Sequence, residues 1–306
     1  MANTLTNVSQ AMLEDEVLPA LRLERNPINA FSYQVSDVPR AVGDTIKVNI
    51  ASEMDAAEFD GNFITGDSTV TSTNVPVTAP VFRSWHVEPM LEGMPTAARF
   101  IAQGTEAAAA VIKKILQDAL GLMVLANIGN TTDTDVIAVS EANYDTDDQA
   151  TLWKMLAGKK VAGRRSAIHS IGYAAALMTD TSIKDASAYG NGTLIQTGEL
   201  PTILGARQFY TDLFPESVTD ENTEVIYTGT ETAAIGFAEP MDPVAGLENA
   251  SGVTIRRLID PATGIPLIWR QWYDENTGKY WGSVFTMRGQ AFLRNSAVRV
   301  VSALTT

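Results

Sequence analysis

The chain has 306 residues, no cysteine and a formal net charge of −14. The missing cysteines exclude disulfides, thiolate nucleophiles and zinc–thiolate sites together. The acidic balance forfeits the counterion release that holds proteins on nucleic acid, so sequence-specific DNA binding is not expected.

The length accommodates one large domain or two smaller ones. The N-terminus lacks the charged and apolar pattern of a signal peptide, and the longest apolar stretch, residues 120–126, is far short of the roughly 20 needed to span a bilayer. The expectation is a soluble protein made in a cytoplasm, with no membrane partner. Charge is unevenly placed. From Ser251 onward seven Lys/Arg face three acids, a balance of +4 that leaves −18 for the first 250 residues. Such asymmetry suits one part of a molecule meeting a different part of its copy, and most of the acids serve as a solvated face.

In chain order, residues 1–37 read as a loose arm with a short helix over 10–23, ending near Asn26-Pro27 because the residue before proline is driven out of helix. Residues 43–50 (GDTIKVNI) alternate as a strand, and 74–87 (NVPVTAPVFRSWHV) read as its returning strand, interrupted by Pro76 and Pro80. Between them 52–73 is acidic, then Ser/Thr/Gly-rich, with few large apolar groups. A two-stranded ribbon of this kind is marginal alone and needs another surface to lie on. Next, Phe100, Ile101, Ala108, Val111, Ile112, Ile115, Ala119, Leu122, Met123 and Ala126 fall in steps of three and four. That spacing predicts one helix over 96–127, a rod of about 45 Å capped by Thr96 and stopped by Gly129-Asn130. Gly104 and Gly121 each cost about 1 kcal/mol in it, so packing must hold it straight.

After an acidic stretch at 133–148 around a short strand at 136–139, the pattern predicts a helix over 147–157, a strand at 165–170, a helix at 173–178 and a small-residue loop at 187–192. Strands follow at 224–227 and 233–237. Residues 252–286 form a meander (GVTIRRLI, IPLIWRQWYD, KYWGSVFTM) with turns at 260–264 and 275–278, and 298–301 is the last strand. There is no internal repeat and no clear linker.

Candidates for chemistry are few. His86 and His169 each sit in a predicted strand among apolar neighbours without a second histidine at helical spacing, which reads as structural rather than metal-binding. Asp133, Asp135, Asp145, Asp147 and Asp148 lack the glycine and glutamate positions of a calcium loop and read as a solvated acidic loop, with a weak cation site as the alternative. No phosphate loop, dinucleotide turn or nucleophile elbow occurs, and Gly158-Lys-Lys-Val-Ala-Gly163 reads as a turn entering a strand. Any two carboxylates can meet in space, but nothing singles out a glycosidase pair. Trp269, Trp272, Tyr273, Tyr280 and Trp281 read as cross-strand stacking that stabilises a sheet or a subunit contact, with a sugar platform as the other use. No cofactor is implied.

The order of arm, ribbon, long helix, α/β region and terminal meander resembles the major capsid proteins of tailed double-stranded DNA bacteriophages. The opening MANTLTN, the VGDTIKVNIA entry to the ribbon with its later FDG, and LIQTGELPTILGARQFYTDLFP carry the resemblance. It implies an α+β chain of the Hong Kong 97-type capsid fold: an N-terminal arm over 1–42, an extended β-hairpin E-loop over 43–94, a peripheral-domain spine helix within 95–129, an axial domain over 130–228, and remaining axial strands with the peripheral meander over 229–306. The implied function is non-enzymatic self-assembly into hexamers and pentamers of an icosahedral head that encloses DNA without reading its sequence, in a virion built in the host bacterial cytoplasm. A separate scaffolding protein, a portal and a decoration protein are the implied partners. The subunit interface implied for this chain comprises Asp55, Phe59, Phe63, Val75, Val77, Phe82, Trp85, Ala188, Tyr189, Trp272 and Trp281. Some members of the family crosslink through a lysine and an asparagine, but residues 52–78 contain no lysine, so a covalent link from the ribbon tip is not expected. An encapsulin-like compartment shell uses the same fold, and a carbohydrate-active hydrolase acting near the tryptophan-rich hairpin is the remote alternative.

Overall fold

The computed structural model describes residues 17, 27–35, 43–51, 70–78, 80–88, 97–128, 135–159, 161, 164–184, 200, 202–215, 222–238, 253–259 and 265–302. Its elements are α1 (Ile28–Phe31), β1 (Ser32–Val35), β2 (Thr45–Ala51), β3 (Val70–Pro76), β4 (Val81–Val87), α2 (Ala97–Leu120), α3 (Leu125–Ile128), β5 (Val136–Ala138), α4 (Thr146–Gly158), β6 (Arg165–Ser170), α5 (Ile171–Thr179), α6 (Thr181–Lys184), β7 (Ala206–Thr211), β8 (Thr223–Gly229), β9 (Ala233–Ala238), β10 (Thr254–Ile259), β11 (Pro266–Asp274), β12 (Lys279–Phe292) and β13 (Ala297–Val301). The strands form three sheets, so the class is α+β.

The apolar stripe forms the buried face of α2, with Phe100, Ile101, Ala108, Val111, Ile112, Ile115 and Ala119 all inside the main core. The helix stops at Leu120 instead of running to Asn127, giving 24 residues and about 36 Å. Gly121 still donates to the Gln117 carbonyl at 2.9 Å, but Leu122 and Met123 donate three residues back, to Ala119 and Leu120, which tightens and ends the turn. Two carbonyls released at the break find side-chain donors. Asn127 Nδ2 donates to Leu122 O at 2.6 Å and Thr223 Oγ1 to Met123 O at 3.0 Å. The chain then re-enters helix as α3. Thr96, Gly129 and Asn130, the expected ends of the rod, lie outside the described residues.

One sheet runs β1-β9-β12-β11-β10, with β4 also on β12. The 14-residue β12 changes neighbours along its length: Tyr280–Thr286 pairs with β4 and Met287–Phe292 with β9. Helix α2 packs on β4 and β12. The second sheet, β5-β13-β8-β6-β7, holds its own core around Leu152, Leu156, Tyr173, Leu177, Val225, Tyr227, Val298 and Val300. Strand β13 joins this sheet between β5, to which it is parallel, and β8, to which it is antiparallel.

The ribbon departs from its expected outline. The segment read as one returning strand is two: β3 pairs with β2, while β4 belongs to the β12 sheet. The prolines mark the switch, since neither Pro76 nor Pro80 can donate to a ladder. At that switch Thr78 donates both N–H and Oγ1 to the Arg288 carbonyl, and Val77 bridges to Gly289. The base of the ribbon is therefore riveted to the body of its own chain, where Ile46, Val48, Val75 and Val77 form a small core with Met287. Arg288 is itself buried and ion-paired to Asp118 near the end of α2, while Gln290 Nε2 donates to the Asp118 carbonyl at 2.7 Å.

Candidate subunit interface

Strand alternation gives the β4-β12-β11-β10 sheet two unlike faces. The inner face presents Trp85, Trp269, Leu267 and Val284 to α2. Trp85 and Trp269 meet edge to face at 4.8 Å, and Phe100 from the helix lies 5.4 Å from Trp85. Gly104 and Gly282 make this closeness affordable in space: a β-carbon would lie 2.0 Å from the Trp269 ring at Gly104 and 2.3 Å from the Trp85 ring at Gly282.

The register fixes what the other face carries. Phe82 sits opposite Phe285, which sits opposite Ile268, and His86 sits opposite Trp281, which sits opposite Trp272. Between these rows Arg270 sits opposite Ser283, which sits opposite Ser84, and β10 adds Ile255, Arg257 and Ile259. Phe82 is 66% exposed and Ile259 45%, while Trp272, Trp281, Phe285, Ile268 and Ile255 are half-buried. The Trp272 and Trp281 rings are parallel within 8° at 6.1 Å, Arg270 lies 4.9 Å over the Trp272 ring, and His86 lies 4.7 Å from Trp281. At the edge of the patch Lys279 pairs with Glu88, and that hydrogen bond holds the Glu88 carboxyl below its ordinary range. Flat aromatic surface with a cation on it gains most when a second surface excludes water from it.

Of the residues assigned to an interface from the sequence, Phe82, Trp272 and Trp281 share this outer face. Three others need correction. Trp85 belongs to the subunit's main core, and Val75 and Val77 to the small core under the ribbon, because their positions in the alternation point inward. Asp55, Phe59, Phe63, Ala188 and Tyr189 lie outside the described residues. Sequence reasoning missed Ile268, Arg270, Ser283 and Phe285. Counting by twos back from Trp272 and forward from Trp281 finds them, once the hairpin register is known.

The remaining polar candidates have structural duties. Asp145 caps α4, accepting from the backbone of Asp147 and Asp148, and Asp148 returns a bond to the Asp145 N–H. Asp135 pairs with Lys159 at 2.8 Å, and Lys159 also donates to the Ala297 carbonyl. Of the acids expected in a solvated loop, these three are thus engaged, and Asp133 lies outside the described residues. His169 is fully buried between Gln149 and Gln208, 2.7 Å from Gln208 Oε1, and burial pushes its pKa down to about 4. It is a neutral core imidazole.

No protein-family model and no curated protein matches the sequence. Solved structures do match by shape. The chain aligns with the cyanophage Pam1 capsid asymmetric unit at 12% identity over 92% of each chain, with a TM-score of 0.58. It aligns with the capsid of Ralstonia phage GP4 at 12% identity over 92% of this chain and 91% of that one, TM-score 0.55. The cyanophage P-SCSP1u capsid structure gives 11% identity over 89% and 86%, TM-score 0.56. At such identities the likeness is one of architecture, and about nine-tenths of the chain takes part in it.

Proposed function

We propose that this chain is the major capsid protein of a tailed bacteriophage, a subunit of the Hong Kong 97-type fold that assembles into the icosahedral head enclosing double-stranded DNA. The observation that carries the reading is architectural agreement with phage capsid chains over about nine-tenths of the length. The physical chemistry of the subunit supports it. An aromatic sheet face is left in water, and the described strands of the two-stranded ribbon share a small apolar core with Met287. Both gain by lying against another copy, and unlike patches meeting head to tail close into rings and shells.

In this reading Ala97–Leu120 is the spine helix and the β4-β12-β11-β10 sheet the body of the peripheral domain. The second sheet with α4 and α5 is the axial domain, and residues 43–94 hold the E-loop. Phe82, Trp272 and Trp281, with Phe285 and Ile268, form part of the subunit interface. Assembly uses a separate scaffolding protein and a portal, and the finished head can carry a decoration protein. The particle holds its DNA by enclosure, since the chain's net charge is −14.

Negative-stain images of the purified chain, expressed with its scaffold, test the proposal. Closed shells are expected. A population that stays single subunits at high concentration contradicts it, and shells that carry a co-purified enzyme in place of DNA point to an encapsulin-like compartment.

A further inference from the structure

The hairpin that opens β7 is closed by reciprocal bonds, Ile203 N–H to the Ala206 carbonyl at 3.1 Å and Ala206 N–H to the Ile203 carbonyl at 2.9 Å. Only Leu204 and Gly205 lie between, and both have positive φ, 50° and 77°. A two-residue turn of this hand is the preserve of Asn-Gly and Gly-Gly, because other side chains crowd the next carbonyl there. Gly205 fits the rule. Leu204 breaks it, and among the described residues it is the one non-glycine with positive φ.

Leu204 belongs to none of the buried apolar clusters among the described residues. Ile203 beside it is 1% exposed and supplies the turn's share of the core, whereas Leu204 as a whole residue is 48% exposed. A residue that strains the backbone and leaves apolar surface in water is of use to something outside the molecule. The turn's facing backbone groups are already satisfied by each other, so what it offers is hydrocarbon, which another protein surface takes up. Its setting agrees. β7 is the edge strand of its sheet among the described residues, and Tyr210 near its far end and Ile171, the first residue of α5, are more than half exposed and line a groove of about 620 Å³.

We infer that Leu204 is a contact residue for a second copy of this chain, held in a disfavoured conformation because the shell and not the subunit uses it. This rests on the shell-forming reading above. The chain has no cysteine, so Leu204→Cys introduces a single thiol whose reaction with a maleimide reports its surroundings. In dilute subunits the thiol should react freely, and in assembled particles at least roughly tenfold more slowly, as a buried contact requires. Equal rates in both states overturn the inference and leave the shell reading standing. Failure of the unsubstituted chain to form any particle sinks the shell reading first, and the contact with it. The second variant, Leu204→Asn, should raise the subunit's melting point by about 2 °C while raising the concentration needed for assembly roughly tenfold. A lowered melting point, or unchanged assembly, shows that the leucine serves the subunit and contradicts the inference.

Discussion

Gly104 on the helix faces the Trp269 and Trp85 rings, and Gly282 on the sheet faces Trp85 and Phe100. Glycine in mid-helix costs about 1 kcal/mol against alanine, and here the cost is offset by letting Trp269 and Trp85 touch the helix backbone. Gly104→Ala should therefore destabilise despite its better helix propensity. The added carbon has 2.0 Å where it needs about 3.4 Å, and a rigid ring, not a flexible tail, stands in its way. A net loss of about 2 kcal/mol is expected, visible as a melting point lowered by roughly 5 °C. His169 sets a different kind of constraint. Its pKa is about 4 in the fold and 6.5 when unfolded, so the unfolded chain binds the extra proton between those values. Stability is full above pH 6.5 and is lost as pH falls toward 4, by an amount on the order of 3 kcal/mol. Thermal melts from pH 7 to pH 4 should show that slope, and His169→Gln should flatten it.

At the scale of elements, the sequence spoke most clearly where one physical rule acted alone. Arg165–Ser170 matches the expected strand to the residue, while the helix expected at 173–178 begins two residues earlier, at Ile171. Of the three meander strands, the first two follow their alternation, the third runs on to Phe292 beyond its expected end at 286, the 275–278 turn is in place, and the 260–264 turn lies outside the described residues. The helix end was not. The apolar steps continue through Leu122, Met123 and Ala126, and only the tighter bonds after Leu120, with Asn127 and Thr223 serving the freed carbonyls, show that the rod has ended. The ribbon was half legible: Pro76 and Pro80 announced an interruption, but which sheet each half joins is decided by Arg288 and Gly289, more than 200 residues away. Trp85 and Phe82 looked equivalent as exposed-interface candidates, since the sequence gives an alternation without saying which face is inward. Trimming follows from the same anatomy. Replacing residues 52–69 by a short Gly/Ser linker keeps Ile46, Val48, Val75 and Val77 on Met287, so circular dichroism and the melting point should change little while assembly fails. Outright unfolding of that variant would place residues 52–69 in the subunit's own core.

For the molecule as a whole, the division of labour is between a closed inside and an unfinished outside. The main core and the α/β core are sealed, whereas the outer sheet face keeps Phe82, Trp272 and Trp281 in contact with water. Burying a side chain of that size is worth about 1.5–3 kcal/mol, a gain the lone subunit does not collect. The double variant Phe82→Ser, Trp272→Ser should accordingly leave the monomer's melting point within a few degrees of the parent and weaken assembly by at least roughly tenfold, read by light scattering. Sedimentation velocity of the purified chain, alone and with the proposed scaffolding protein, across rising concentration, tests the central claim most directly. Conversion from single subunits to one fast-sedimenting species of uniform size is the expected result. A single slow boundary of monomer at every concentration would contradict it.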